Sequence, residues 1–252
     1  KALYTEYLDS FKKLGINAIF FQVRGMADAY YESAYEPWSR TITGTAGKNP
    51  GYDIMDFLIS ETHKRGMEFH AWINPYRVST PSYFQEGLDK KIPESMVIKY
   101  DKIWVYNPAL PEVRQRIADI VKEIVTKYNV DGIHMDDYFY PYPVKGKPLP
   151  DRDTYEGNPR GFSDINDWRR DNVNTIIREL HTVIHSLKPE VQFGISPFGV
   201  YRNDSTLGIQ AGMTNYDDLY ADIVLWMKEG WIDYVVPQLY WEIGRKGVDY
   251  AT

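Results

Sequence analysis

Two acidic residues occupy equivalent places near the C-terminal ends of two strand-like segments. Asp136 lies near the end of residues 131–137, and Glu242 directly follows residues 232–241. Alternate side chains of a strand face opposite sides, and both acids fall on the face opposite the apolar residues. A pair of carboxyl groups of this kind performs glycoside hydrolysis. The sequence therefore predicts Asp136 as nucleophile or electrostatic stabiliser and Glu242 as general acid/base.

Asp137 is a further candidate carboxylate, directly after Asp136. Strict alternation places the Asp137 side chain on the opposite face of the strand from Asp136, although strand ends often twist. A structural role on a loop or facing a helix is slightly favoured, and a catalytic role is the alternative.

Polar and aromatic residues share the face that carries the acids. The alternation holds in five strand-like segments, each of which sets apolar side chains against polar or small ones. Flat aromatic rings suit the C–H faces of sugars. We predict a substrate-binding cleft lined by Gln22, Arg24, His70, Trp72, Asn74, His134, Tyr138, Gln238, Tyr240 and Trp241.

A zinc site made by His70, His134 and Asp136 is the alternative reading of this face. Three ligands plus water is a catalytic zinc pattern, but no H-x-H or H-E-x-x-H spacing supports it. His134 is more readily interpreted as a hydrogen-bond partner that keeps the carboxylate ionised. No metal and no cofactor are predicted.

The elements that position these residues alternate between helix and strand. Helical periodicity covers residues 2–14, 52–65, 111–129, 164–187 and 216–229, and strand-like segments cover 17–24, 67–73, 131–137, 191–197 and 232–241. Short turns before the strands and long loops after them are typical of a (β/α)8 barrel, whose active site lies on those loops. An open doubly wound sheet is the rival, but its G-x-G-x-x-G turn is absent. Five strands predict an incomplete barrel of one domain, residues 1–252, with one strand before it and two after it.

The composition excludes several classes of protein. The 252 residues carry a net charge of −6, so no general attraction to nucleic acid or anionic lipid is expected. The absence of cysteine rules out disulfides, thiolate metal sites and a cysteine nucleophile within the chain. No apolar run reaches the roughly 20 residues that cross a bilayer. The expected partner is an oligo- or polysaccharide, and no protein partner is predicted.

Five motifs together resemble a known family. They are DGIHMDDYFYP at 131–141, FQVR at 21–24, HAWINP at 70–75, ISPFG at 195–199 and PQLYW at 237–241. Along the chain they occur in the order expected for the bacterial glycosyl-hydrolase-10-like barrels, which they resemble. Many members of that family are lipoproteins, and the family includes hydrolases of peptidoglycan glycan strands stripped of peptides. The resemblance implies a barrel and export to the cell envelope, with the export signal outside these residues.

Two weaker analogies bear on the acids. The segment 131–138 is similar to the chitinase signature D-G-x-D-x-D-x-E, but His134 and Tyr138 replace two of its acids, so the chitinase mechanism is not expected. Other barrels place an aspartate nucleophile on strand four and an acid on strand six, where Asp136 and Glu242 fall if one strand precedes the chain. We therefore expect a hydrolase of the peptidoglycan backbone. The alternatives are a non-catalytic glycan-binding barrel and an amylase-like hydrolase of other polysaccharides.

Overall fold

The structure is a computed structural model that describes residues 1–80 and 92–251. The β-strands are β1 (Ala18–Arg24), β2 (Glu68–Ile73), β3 (Arg77–Ser79), β4 (Val97–Tyr100), β5 (Ile103–Tyr106), β6 (Gly132–Met135), β7 (Gln192–Ile195) and β8 (Tyr234–Val235). The α-helices are α1 (Ala2–Lys13), α2 (Arg40–Thr43), α3 (Ile54–His63), α4 (Pro111–Lys127), α5 (Arg152–Gly157), α6 (Ile165–Leu187), α7 (Asn215–Asp218) and α8 (Ile223–Lys228). A short 3-10 helix covers Glu94–Met96.

The main sheet contains the five predicted strands, all parallel, in the order β1-β2-β6-β7-β8. Ala71 pairs with Ile133, and Ile133 pairs with Phe193, so apolar side chains share one face along this row. These three residues are fully buried. The α/β fold class with parallel strands joined by helical crossovers is confirmed.

Helices α4 and α6 cover the apolar face of the sheet. Pro111 occupies the first turn of α4, where its missing N–H leaves no bond unmade. Val121 and Ile124 of α4 and Ile177 of α6 are fully buried in the core that includes Phe193. The helical spacing of these residues explains why the sequence predicts both helices, and burial of the apolar stripe against the sheet stabilises them.

The predicted helix 216–229 is interrupted in the structure. It divides into α7 and α8, and Tyr220 between them has a positive φ of 56°. The side chain of Asp222 then accepts a hydrogen bond from the N–H of Leu225 and begins α8. The periodicity of the apolar residues continues across this break, so it did not reveal the interruption.

A second sheet lies in the long segment after β2. Strands β3, β5 and β4 form an antiparallel sheet that the sequence did not predict. The hydroxyl of Tyr100 on β4 donates to the carbonyl of Lys147 and accepts from the N–H of Val144. The small sheet is thereby attached to the loop that follows β6, beside the acids.

Two glycines create space on the inner face of the parallel sheet. A Cβ atom at Gly132 would lie 2.1 Å from Nδ1 of His70, and one at Gly194 would lie 2.0 Å from the ring of Tyr234. Because these distances are far below van der Waals contact, each glycine admits a ring from a neighbouring strand. The two rings meet through a hydrogen bond of 2.9 Å between His70 and the Tyr234 hydroxyl.

Substituting Gly194 with alanine is expected to lower the free energy of unfolding by about 1–3 kcal/mol, the usual cost of overpacking a core. Gly157→Ala is the matched control, since nothing lies within 4 Å of its Cβ position. Urea unfolding followed by circular dichroism measures both variants. Equal stability of the two variants would contradict the close packing of Tyr234 against Gly194.

In the described residues, no helix combines the length and the apolar character that crossing a membrane requires.

Candidate active site

Asp136 lies at the C-terminal end of the sheet, directly after β6. Its carboxylate accepts hydrogen bonds from Nε1 of Trp72 at 3.1 Å, from Nδ2 of Asn74 at 3.1 Å and from the N–H of Tyr138 at 3.2 Å. Asn74 is itself fixed, because its Oδ1 accepts the N–H of Arg77. All of these partners of Asp136 are donors, an arrangement that suits an ionised carboxylate.

Burial raises the pKa of Asp136 to about 6. Asp136 is only 4% exposed, so its charged form loses much of its hydration. The Tyr138 N–H and the charge of Arg77 oppose this increase, and the negative charge of Asp137 adds to it. Asp136 is therefore ionised at neutral pH, but it is an anion held by a few fixed donors in place of water.

Asp137 lines the same cleft as Asp136. Its carboxylate accepts a hydrogen bond from Nε2 of Gln238 at 3.0 Å and a short one from the hydroxyl of Tyr142. Strand β6 ends at Met135, so the alternation of a regular strand does not extend to Asp137. The orientation away from the cleft that strict alternation predicted is therefore corrected, and two buried carboxylates lie side by side.

The cleft has a volume of about 370 Å³. Seven of the predicted site residues line it: Trp72, His134, Asp136, Asp137, Tyr138, Gln238 and Tyr240. Tyr240 is 82% exposed at the rim. The cleft is open to solvent on one side and has carboxylates at its base, so it suits a flat polar ligand such as a sugar ring.

His70 and His134 lie on the inner face of the sheet and share one partner. The Tyr234 hydroxyl is 2.9 Å from Nδ1 of His70 and 3.2 Å from Nδ1 of His134. Burial, together with the proximity of His70, lowers the pKa of His134 to about 4, so this ring is neutral near pH 7. His70 is buried beneath the cleft and does not line it. In residues 1–80 and 92–251, no group of three His, Asp or Glu side chains is placed to hold a metal ion.

Arg24 does not face the cleft as predicted. The pairing of β1 with β2 shifts between Gln22 and Arg24, which breaks the alternation of side chains. Arg24 is buried in a bidentate ion pair with Glu36, with Nε to Oε2 at 2.7 Å and Nη2 to Oε1 at 2.5 Å. Its position as a cleft residue is corrected, because a fully buried guanidinium paired in this way serves the structure.

Four other predicted residues also lie outside the lining of the cleft. Gln22 is half-buried on β1, and Asn74 acts through the carboxylate of Asp136. Trp241 lines a separate groove that also contains Tyr250. Glu242 is exposed on the segment after β8. The structure therefore does not bring Glu242 beside Asp136.

Three residues of this region were not among the predicted site residues. Phe20 and Ser196 line the cleft, and Tyr234 connects the two histidines below it. Phe20 lies two residues before Gln22, and Tyr234 lies four residues before Gln238, so alternation along the strand predicts that each shares a face with that glutamine. This pattern could have identified both residues. They were overlooked because the criterion sought polar residues on the inner face.

Parallel strands that carry two carboxylates and aromatic rings at their C-terminal ends define a site of the glycosidase barrel type. The family model described as "Glycosyl hydrolase-like 10" matches residues 1–252, and the chain belongs to this family. This result confirms the family resemblance of the five motifs.

Two curated relatives are similar over nearly the whole chain. The chain is 47% identical to glycosyl hydrolase YngK of Bacillus subtilis (strain 168) over 259 residues, covering 99% of the chain and 51% of that protein. It is 42% identical to glycosyl hydrolase DigH of Escherichia coli (strain K12), covering 96% of the chain and 58% of that protein. The chain thus spans between about half and three fifths of the length of these relatives.

Solved structures support the fold. An α-L-fucosidase, isoenzyme 2 from Paenibacillus thiaminolyticus, matches with a TM-score of 0.51 and 13% identity, covering 81% of this chain and 30% of that one. The glycoside hydrolase domain of PgaB (BpsB) from Bordetella bronchiseptica also matches with a TM-score of 0.51 and 13% identity, covering 78% of this chain and 59% of that one. At this identity the likeness concerns the backbone arrangement.

Proposed function

We propose that the protein is a glycoside hydrolase that cleaves the glycan backbone of bacterial peptidoglycan. The observation that carries the proposal is the pair of buried carboxylates, Asp136 and Asp137, at the base of one cleft. Two carboxyl groups buried side by side are unfavourable when both are charged, so such a pair is typical of sites where one group acts as an anion and the other as an acid. Membership of the glycosyl hydrolase-like family supports the reaction class.

Asp136 is proposed as the anion that attacks or stabilises the positively charged anomeric carbon. Its three donors hold the carboxylate in one orientation. None of these N–H groups could accept a hydrogen bond from a protonated Asp136 carboxyl group. A poorly hydrated, oriented anion stabilises developing positive charge more strongly than one in water. The role predicted from the sequence for Asp136 is therefore retained in the proposal.

Asp137 is proposed as the second carboxyl group, which donates a proton to the leaving group. It lines the cleft beside Asp136, whereas Glu242 is exposed on the segment after β8. Tyr142 and Gln238 hold the Asp137 carboxyl in place. Glu242 remains the alternative acid that the sequence predicted.

The walls of the cleft support a carbohydrate substrate. Trp72, Tyr138 and Tyr240 present aromatic rings around the acids, and Gln238 adds a side-chain amide. Aromatic rings bind the C–H faces of pyranoses, and amides bind their hydroxyl groups. The substrate proposed here lies outside the cytoplasmic membrane, so we infer that the protein is exported to the cell envelope.

The proposal is tested by incubating the full chain with peptidoglycan glycan strands freed of peptides and measuring new reducing ends. Release of reducing ends is expected from these strands and not from a panel of neutral α-glucans. Turnover of the α-glucans alone would favour an amylase-like hydrolase. Binding of the strands without any cleavage would instead identify a non-catalytic glycan-binding barrel.

A further inference from the structure

A second pocket adjoins the cleft on the other side of Tyr138. Its volume is about 300 Å³, and it lies between the small antiparallel sheet and the loop after β6. Ile103 and Val105 of β5 form one apolar wall, and Tyr138 and Tyr142 belong to the other. Tyr138 lines both this pocket and the cleft with the acids, so a ligand in one lies next to a ligand in the other.

Arg77 brings a positive charge to this pocket. Its guanidinium carbon lies 3.7 Å from the centre of the Tyr138 ring, and the Tyr138 ring stacks on Tyr142 with centres 4.8 Å apart. Stacking restricts the guanidinium to one plane and leaves its N–H donors at the edge. The backbone N–H of Arg77 is bound to Asn74, which fixes the start of the side chain.

The charge of Arg77 is not neutralised by a contacting acid. Across the described residues, no carboxylate lies within ion-pair distance of its guanidinium. Asp101, the acid that lines the same pocket, is paired with Lys147. The more distant Asp136 feels the charge of Arg77 but is bound by other donors. The pocket therefore combines ring-sized apolar walls with one available cation.

We propose that this pocket is a sugar subsite in which Arg77 binds a carboxylate carried by the sugar. The inference rests on the proposed function and names the feature of the substrate that the site recognises. In peptidoglycan strands freed of peptides, every second sugar carries a lactyl ether that ends in a free carboxylate. The sugar ring packs against the apolar wall of Ile103 and Val105, and the planar guanidinium pairs with the carboxylate. Arg77 is thus a specificity residue, and the acids in the neighbouring cleft cleave the bond.

The test measures how fast the full protein chain cleaves two preparations of the same peptide-free strands. In one preparation the lactyl carboxylates are free, and in the other they are converted to neutral methylamides. Wild type is expected to show a kcat/KM about 10- to 100-fold higher for the free carboxylates, the usual range for a hydrogen bond to a charged group. Arg77→Gln is expected to lose this preference and to turn over both preparations at similar, low rates. Arg77→Lys keeps the charge without the planar fork and is expected to retain part of the preference.

The controls separate this inference from the proposed function. Measurements at about pH 8 keep Asp136 ionised in every variant, so a changed titration does not imitate lost recognition. Arg152→Gln, an exposed arginine on α5, is expected to behave as wild type. Equal turnover of both preparations by wild type, or an equal loss on both in Arg77→Gln, would overturn the subsite while leaving the hydrolase intact. If wild type cleaves neither preparation, the proposed function fails, and titration of tryptophan fluorescence then decides the subsite: equal binding of the two preparations rejects it.

Discussion

Asp136→Asn is expected to lower kcat on peptide-free glycan strands by about a thousandfold or more, while binding of the strands changes little. Asparagine keeps the shape of the side chain and removes the charge that the transition state requires. Trp72 donates to Oδ2 and the Tyr138 N–H donates to Oδ1, so the amide oxygen keeps one of these two donors. Because the shape of the side chain is unchanged, the fold is expected to persist. Reducing-end assays give the turnover, and thermal unfolding followed by circular dichroism verifies the fold.

Asp153→Asn is the matched control for the loss of one negative charge, because Asp153 is exposed in the first turn of α5. The pH profile of wild type supplies a second measurement of the same charge. With a pKa of about 6, Asp136 loses its charge as the pH falls, so kcat/KM is expected to rise with pH through about 6. Wild-type turnover by Asp136→Asn, or a kcat/KM that does not fall as the pH drops below about 6, would contradict the role of Asp136 as the active anion. A decline at higher pH would report deprotonation of the proton donor.

The parallel sheet and the position of Asp136 followed from local sequence patterns. Helical periodicity, glycine turns and alternation in the strands are properties of short segments, and each of the five strands carries them independently. Trp72 fell on the inner face because β2 is regular through Ile73, and Asp136 did so because it directly follows the last paired residue of β6. Where strands keep ideal geometry, residue spacing is sufficient to place a side chain on one face.

Several of the errors arose where regular geometry ends. Arg24 follows a shift in register, and its partner Glu36 is distant from any strand. Asp137 lies one residue beyond Asp136, where the strand has stopped. Strand β8 is regular only over Tyr234–Val235, so alternation does not determine which way the side chain of Glu242 faces. The antiparallel sheet after β2 depends on pairing between separate segments, which alternation within one segment does not specify.

The second carboxyl group is the point on which the sequence and the structure lead to different assignments. Asp137→Asn is expected to lower turnover of peptide-free strands by about a hundredfold or more, the usual contribution of general acid catalysis. Glu242→Gln is expected to stay within about threefold of wild type, because its side chain is exposed and lies outside the cleft. Each change replaces one carboxyl group by an amide and keeps the size of the side chain, so the two variants serve as controls for each other.

An activated aryl glycoside of the same sugar identifies the role of whichever acid is required. Its leaving group needs no proton, so loss of the proton donor is expected to harm its cleavage far less than cleavage of the natural strands. Asp137→Asn is therefore expected to retain activity on the aryl glycoside, whereas Asp136→Asn is inactive on both substrates. If Glu242→Gln shows the selective loss and Asp137→Asn resembles wild type, Glu242 is the proton donor. Such a result requires the exposed segment after β8 to move Glu242 into the cleft during catalysis, and it would leave Asp137 with the structural role of holding Gln238 and Tyr142 beside the reacting bond.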